Sequence, residues 1–193
     1  MKVFILAGGL GTRISEYTEF VPKPMIKVGK YPILIHIINI YVKFGIKNFF
    51  ILTGYKSFVI KRYFKNFKKF GKEFKFKIKK KNITVTLVDT GKKTMTGGRL
   101  KKISKYLDSK ETFMFTYGDG VANINIQKLV NFHIASKSII TVTAVRPPAR
   151  FGEILIKNNR VNSFKEKPQV REGWINGGFF VANKSFLKLI EGS

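Results

Sequence analysis

Residues 1–25 read MKVFILAGGLGTRISEYTEFVPKPM, and the architecture follows from this stretch. The apolar run from Val3 to Leu6 predicts a buried strand, which stops abruptly in Ala7, Gly8, Gly9, Leu10, Gly11, Thr12 and Arg13. Glycines let backbone N–H groups come close to a ligand, and successive free amides in such a turn form a nest for an anion. Arg13 closes the turn, and Lys23 follows between Pro22 and Pro24, which stiffen the backbone around it. Oriented amides with a fixed and a mobile cation suit a polyphosphate that must be both held and attacked. The stretch reads as a nucleoside triphosphate grip.

Two commoner phosphate motifs are excluded. No Gly-Lys-Ser/Thr follows the turn, so it is not a P-loop, and Ile14 stands where the dinucleotide fingerprint, counted from Gly9 and Gly11, requires glycine. What remains is GGLGTR at 8–13 followed by PKP at 22–24.

The chain has 193 residues, 44% of them hydrophobic, enough for one domain with a real core, and no internal repeat or linker divides it. A single α/β domain over residues 1–193 is expected. With no cysteine, disulfides, thiolate metal sites and cysteine nucleophiles are excluded. No run approaches the ~18 consecutive apolar residues of a membrane span, which makes the cytoplasm the expected compartment and a membrane an unexpected partner. The net charge of +26 has two readings, an electrostatic footprint for nucleic acid or a codon bias that enriches lysine, isoleucine, asparagine and phenylalanine together. The lysines scatter over the whole chain, which favours the bias. Only residues 61–81, KRYFKNFKKFGKEFKFKIKKK, alternate bases with aromatics as a single-strand binder would, so a basic nucleic-acid-binding module stands as the alternative of a different class.

Beyond the opening loop the pattern alternates. Helices are predicted over Tyr31 to Phe44, Ser57 to Phe67, Thr96 to Leu107 and Ile124 to Ser136, with a short one from Ser185 to Ile190. Strands are predicted over Lys47 to Thr53, Phe74 to Ile78, Ile83 to Val88, Thr112 to Thr116, Ile139 to Val145, Glu153 to Ile156, Val161 to Lys165 and Trp174 to Val181. Strand–helix–strand order implies a mostly parallel sheet flanked by helices. The strand at Thr112 runs into Tyr117-Gly118-Asp119-Gly120, which presents a carboxylate where open α/β sheets bind ligands. Gly177 and Gly178 would let a ligand approach the last strand, while His36 and His133 fall inside helices and read as packing residues. A short helix closing the chain buries neither face, so a C-terminal truncation is expected.

GGLGTR, PKPM at 22–25, VDTGKKTMTGGR at 88–99, FTYGDG at 115–120, EKP at 166–168 and INGGFF at 175–180 together resemble the sugar nucleotidyltransferases. The GGxGTR and PKP pair marks the superfamily, and VDTG, MTGGR and FTYGDGV point to its cytidylyl branch. The resemblance covers nearly the whole chain. It implies a Rossmann-like mixed sheet and an in-line attack of glucose 1-phosphate on the α-phosphorus of CTP, giving CDP-glucose and pyrophosphate. Sister activities using dTTP or UTP are the near alternatives. It further implies that Leu6, Ala7, Gly8, Gly9, Leu10, Gly11, Thr12, Arg13, Thr94 and Arg99 hold the nucleotide. Arg13 and Lys23 would act on the phosphates during transfer, and Asp119 would bind Mg²⁺ through oxygen. Gly118, Lys167, Asn176 and Gly177 would receive the sugar phosphate and hydroxyls. Relatives continue past the equivalent of Ser193 and supply a second metal-binding aspartate, and a homo-oligomer is expected of the full-length form. Between Phe64 and Val85 the lysine-rich connection departs from the cytidylyl pattern.

Overall fold

The computed structural model describes residues 1–9, 20–78, 80–148, 151–166, 168 and 173–192. Strand β1 (Lys2–Ala7) is apolar throughout because both of its faces are covered. Val3, Ile5 and Ala7 join one hydrophobic cluster, while Phe4 and Leu6 face the other. A short hairpin, β2 (Lys27–Val28) with β3 (Tyr31–Pro32), leads into helix α1 (Ile33–Lys43). The helix predicted from Tyr31 therefore starts at Ile33. Pro32 is extended and pairs with Lys27 across the hairpin, so it flanks the first turn rather than entering it.

The chain continues through β4 (Asn48–Thr53), α2 (Ser57–Lys65), β5 (Lys68–Phe70), β6 (Glu73–Ile78) and β7 (Lys81–Asp89). Helix α3 (Thr96–Lys101), β8 (Thr112–Tyr117), α4 (Ile126–Ser136) and β9 (Ile140–Val145) follow. The last elements are the hairpin β10 (Glu153–Lys157) and β11 (Arg160–Lys165), strand β12 (Ile175–Asn183) and a closing 3₁₀ helix, Lys184–Leu189. Eight strands form one mixed sheet in the order β5-β6-β7-β4-β1-β8-β12-β9. The pairs β1–β4, β1–β8 and β4–β7 are parallel, whereas β5–β6, β6–β7 and β8–β12 are antiparallel. A Rossmann-like, mostly parallel centre with antiparallel flanks is thus observed. Two compact units are distinguished by their internal packing, one comprising Met1–Thr141 with Gly178–Ser193, the other Val142–Gly177 with the β10–β11 hairpin.

One face of the sheet carries α1 and α2, with Leu34, Ile37, Ile38, Tyr41, Ile60 and Phe64 buried against Val3, Ile5, Ile51 and Val85. The opposite face is aromatic. Phe4 stacks on Phe50 at 4.8 Å, and Phe115 stacks on Phe180 at 4.3 Å. Leu100, Ile103 and Leu107 also bury on this face, and the chain tightens into a 3₁₀ turn, Ser104–Tyr106, between them. The single helix expected from Thr96 to Leu107 is consequently broken after Lys101. His133 is buried with Nδ1 2.9 Å from Thr141 Oγ1, and His36 donates from Nε2 to the Val28 carbonyl, so both histidines serve packing.

The basic run at residues 61–81 forms α2 and the ribbon at the sheet's edge. Every residue of β5 is exposed, and Lys68 and Lys75 lie over the Phe70 ring. Lysines on an edge strand oppose pairing with another chain's edge. At the amino end of β1, Lys2 Nζ donates to Glu111 Oε2 at 2.8 Å and to the Tyr106 carbonyl, tying β1 to the entry of β8. Burial works to raise the Glu111 carboxyl, but the bond from Lys2 and that from the Asp108 amide outweigh it, so its pKa lies below the ordinary glutamate value. A lowered folded-state pKa stabilises fully above the unfolded-state value and loses that stabilisation as pH falls through the folded one. Glu111→Gln should therefore lower the urea midpoint near neutral pH and converge on the parent protein in acid. A difference that stays constant with pH would show that the carboxylate charge contributes nothing.

Candidate active site

Strand β1 has β4 on one side and β8 on the other, each reached through its own crossover, so the strand order reverses at β1. Open sheets bind ligands outside the carboxyl ends of the strands at such a switch point. A cavity of about 660 Å³ lies there, lined by residues that follow the carboxyl ends of β1, β7 and β8 and by the turn at Lys23. Of the residues expected to hold a nucleotide, Leu6, Ala7, Gly8, Gly9, Thr94 and Arg99 line it, as do Lys23 and Asp119. Leu10, Gly11, Thr12, Arg13 and Lys167 lie outside the described residues.

Lys23 opens a 3₁₀ turn, Lys23–Met25, capped by Pro22 and closed by the Met25 amide on the Pro22 carbonyl at 2.8 Å. Pro24 and Met25 are buried, which anchors the backbone while the lysine side chain reaches the cavity. Its Nζ lies 4.0 Å from Asp119 Oδ2, with the lysine side chain 16% and the aspartate 46% exposed. Gly118 makes that approach possible. Its amide donates to the Leu6 carbonyl at 2.9 Å, and a Cβ there would sit 2.7 Å from that oxygen and 2.8 Å from Pro24 Cγ. The glycine is needed for close packing of β8 on β1, and it sets the position of Asp119 beside it.

Thr94 donates its hydroxyl to the Thr90 carbonyl at 2.6 Å, and Lys102 Nζ donates to the same carbonyl at 2.8 Å. Both bonds shape the loop between β7 and α3. Arg99 is 4% exposed, and its guanidinium donates to the carbonyls of Gly8 at 2.7 Å and Thr53 at 3.2 Å and to Thr90 Oγ1. Burial pushes this guanidinium down from its ordinary value, and Asp89 pushes it back up. This arginine, expected to meet the nucleotide, lines the cavity floor with its guanidinium bonded to backbone carbonyls.

In the second unit, Asn176 is exposed on β12. A Cβ on Gly177 would lie 2.9 Å from the Thr143 carbonyl and 2.9 Å from Val145 Cγ1. On the Cβ side of Gly177, therefore, β9 stands close against the strand. Thr96, where the predicted helix opens, also lines the cavity, as do Lys92, Lys93 and Met95, which the sequence reading names only within the motif VDTGKKTMTGGR. The available signal was the pair of cations between glycine-bearing turns.

Among the described lining residues, cations stand with a single carboxylate, a set that can hold a polyanion together with a cation. Among the described residues no group of three or more His, Cys, Asp or Glu side chains could cage a metal ion. One carboxylate, as Asp119 offers among the described residues, is compatible with a hard divalent cation that keeps most of its waters.

A family model described as nucleotidyl transferase matches residues 2–192. Glucose-1-phosphate cytidylyltransferase of Salmonella typhimurium is 47% identical over 99% of this chain and 78% of its own length. The D-glycero-alpha-D-manno-heptose 1-phosphate guanylyltransferase of Aneurinibacillus thermoaerophilus is 31% identical over 97% of this chain and 77% of its own. Among solved structures, HddC from Yersinia pseudotuberculosis complexed with GMP-PN superposes with a TM-score of 0.67 at 26% identity, covering 100% of this chain and 79% of that one.

If Lys23 is the cation that meets a polyanion, Lys23→Met should weaken inorganic pyrophosphate binding in EDTA by roughly tenfold or more, since a charge-assisted bond contributes about 1.5–3 kcal/mol. Asp119→Asn, which removes the carboxylate among the described lining residues, should bind metal-free pyrophosphate at least as tightly as the parent. Calorimetry on the three proteins decides, and equal affinities throughout would place the anion elsewhere.

Proposed function

The chain belongs to the nucleotidyl transferase family, and we propose that it transfers a cytidylyl group from CTP to glucose 1-phosphate, forming CDP-glucose and releasing pyrophosphate. The observation that carries the choice of substrates is the 47% identity with the Salmonella cytidylyltransferase, against 31% with the guanylyltransferase, over nearly the same residues.

In this reading a phosphate oxygen of glucose 1-phosphate attacks the α-phosphorus of CTP. The bond from that phosphorus to the bridging oxygen breaks, and the electron pair leaves with pyrophosphate. The attacking phosphate oxygen is already ionised and the bridging oxygen leaves as a stable pyrophosphate anion, so no side chain need move a proton, and the work is alignment and charge stabilisation. The Gly8 and Gly9 turn would lie against the triphosphate, with Arg13 beyond it, and the Thr94 loop would border the nucleoside. Lys23, its backbone held by buried Pro24 and Met25, would face the negative charge that grows on the leaving group. Asp119 would hold Mg²⁺, whose chemistry is to draw phosphate oxygens together and share their charge. Lys23 and Asp119, 4.0 Å apart, would then face the polyanion and the metal ion respectively.

Incubation with Mg²⁺, glucose 1-phosphate and each nucleoside triphosphate in turn, read by pyrophosphate release, should show turnover with CTP above dTTP, UTP and GTP. Preference for dTTP or UTP would reassign it to a sister activity, and no release with any pair would overturn the proposal for this chain.

A further inference from the structure

The carbonyl of Gly8 accepts from two donors beneath the loop, the Tyr55 amide at 3.2 Å and the Arg99 guanidinium at 2.7 Å. Among the described residues no peptide bond is cis, so the Gly8–Gly9 peptide is planar with its carbonyl and its N–H pointing in opposite directions. With the Gly8 oxygen drawn down into the floor, the Gly9 N–H is turned away from the floor. Gly9 lines the cavity, and a Cβ built on it would meet nothing within 4 Å, so that side of the residue is open.

The guanidinium reaches this position only because two residues have no side chain. A Cβ on Gly8 would come within bonding distance of Arg99 Nη1, and one on Gly54 would lie 2.5 Å from the same atom and 2.6 Å from the Gly91 carbonyl. Gly8 therefore owes its lack of a side chain to the arginine beneath it, whatever also passes above. Arg99 also donates to the Thr53 carbonyl and Thr90 Oγ1, which fix it to the ends of β4 and β7, and more distantly to the Lys92 carbonyl at 3.4 Å. A buried cation bonded to oxygens on separate elements has little freedom to swing upward, because leaving would break several charge-assisted bonds at once.

We propose that Arg99 is a positioning residue: held under the loop by the ends of β4 and β7, it fixes the Gly8 carbonyl and so aims the Gly9 amide into the cavity as a donor for a phosphate oxygen. This rests on the reading that the cavity takes a nucleoside triphosphate. Oriented in advance, that donor needs no reorganisation when the anion arrives, which is the condition under which such donors contribute most.

The test uses Arg99→Lys, which keeps the charge and loses the fork, Gly54→Ala, which displaces the guanidinium from a residue that does not line the cavity, and the near-isosteric Thr90→Val, which removes one anchor of Arg99. Amide exchange by mass spectrometry on the nucleotide-free proteins should rise in the peptide containing Gly8 and Gly9 in each variant, with α4 unchanged. The kcat/KM for CTP should fall by roughly 10²-fold in Arg99→Lys and Gly54→Ala, the scale expected when a positioned group is displaced, while the KM for glucose 1-phosphate holds. Exchange at the parent rate in folded Arg99→Lys would overturn the proposal, as would an equal rise in both KM values. Should Gly54→Ala fail to fold, Thr90→Val carries the same comparison. If the parent itself does not turn over CTP, the functional reading fails on its own, and inorganic pyrophosphate affinity measured on the same variants still decides whether Arg99 aims the amide.

Discussion

The constraint on which the rest depends is that β1 is buried on both faces and paired in parallel on both edges. A strand so placed is the middle of the sheet, and its carboxyl end is the point from which β4 and β8 diverge. Parallel register then aligns Ala7 with Thr53, and Leu6 with Tyr117, so the segments that follow all three strands emerge at one edge. A cleft at that edge is a consequence of topology before any functional side chain is considered. The two apolar clusters above and below the sheet make the arrangement stiff, since a slip of one residue in β1 would exchange its Val3, Ile5 and Ala7 face for its Phe4 and Leu6 face.

Stiffness at that edge is completed by polar bonds, because strand ends have carbonyls that the ladder no longer satisfies. Thr53 is buried, and its carbonyl accepts from the Thr90 amide, from the Thr90 hydroxyl and from Arg99. Such carbonyls need donors, and a guanidinium supplies several in a fixed plane. Burying a charge without a carboxylate partner is costly in general. Here backbone dipoles take the partner's place, and Asp89 adds a favourable longer-range contribution. A lysine has the charge but not the geometry to bridge the same oxygens.

Much of this was legible in the sequence because it rests on local pattern. The β-branched and aromatic runs, the 3.6-residue periodicity of α1 and α4, and the glycine and proline punctuation mark most elements to within a few residues. The opening turn and Gly118-Asp119 could be placed at strand carboxyl ends from the pattern, whereas joining them with the PKP segment into one site rested on the resemblance to the sugar nucleotidyltransferases. What escaped was set by tertiary contact. Pro32 joined a hairpin with Lys27, a pairing that helix rules do not see. The break after Lys101 accompanies the burial of Ile103 and Leu107 on one face. Gly177 had no local signal to distinguish a strand neighbour from a ligand, and only the placement of Thr143 and Val145 separates them. Arg99 could be placed at the site from its motif, but its direction, into the floor, depends on Gly8, Gly54, Thr53 and Thr90, which are scattered along the chain.

A chain with a net charge of +26 has no shortage of attraction for phosphate, so positive charge alone cannot be what distinguishes this cleft. Exposed lysines raise the local concentration of anions over the whole surface, and solvent and salt weaken each of them. At the cleft the cations differ in how they are held. The backbone of Lys23 is fixed by buried Pro24 and Met25, and Arg99 is fixed by carbonyls, whereas Lys92 and Lys93 are exposed on the rim. Mobile charges gather a polyanion, but only groups already oriented can align it for in-line displacement without reorganising as the reaction proceeds. Asp119, the acidic residue lining the cavity among those described, then has a position that a general excess of lysine could not supply, since it places a carboxylate beside Lys23.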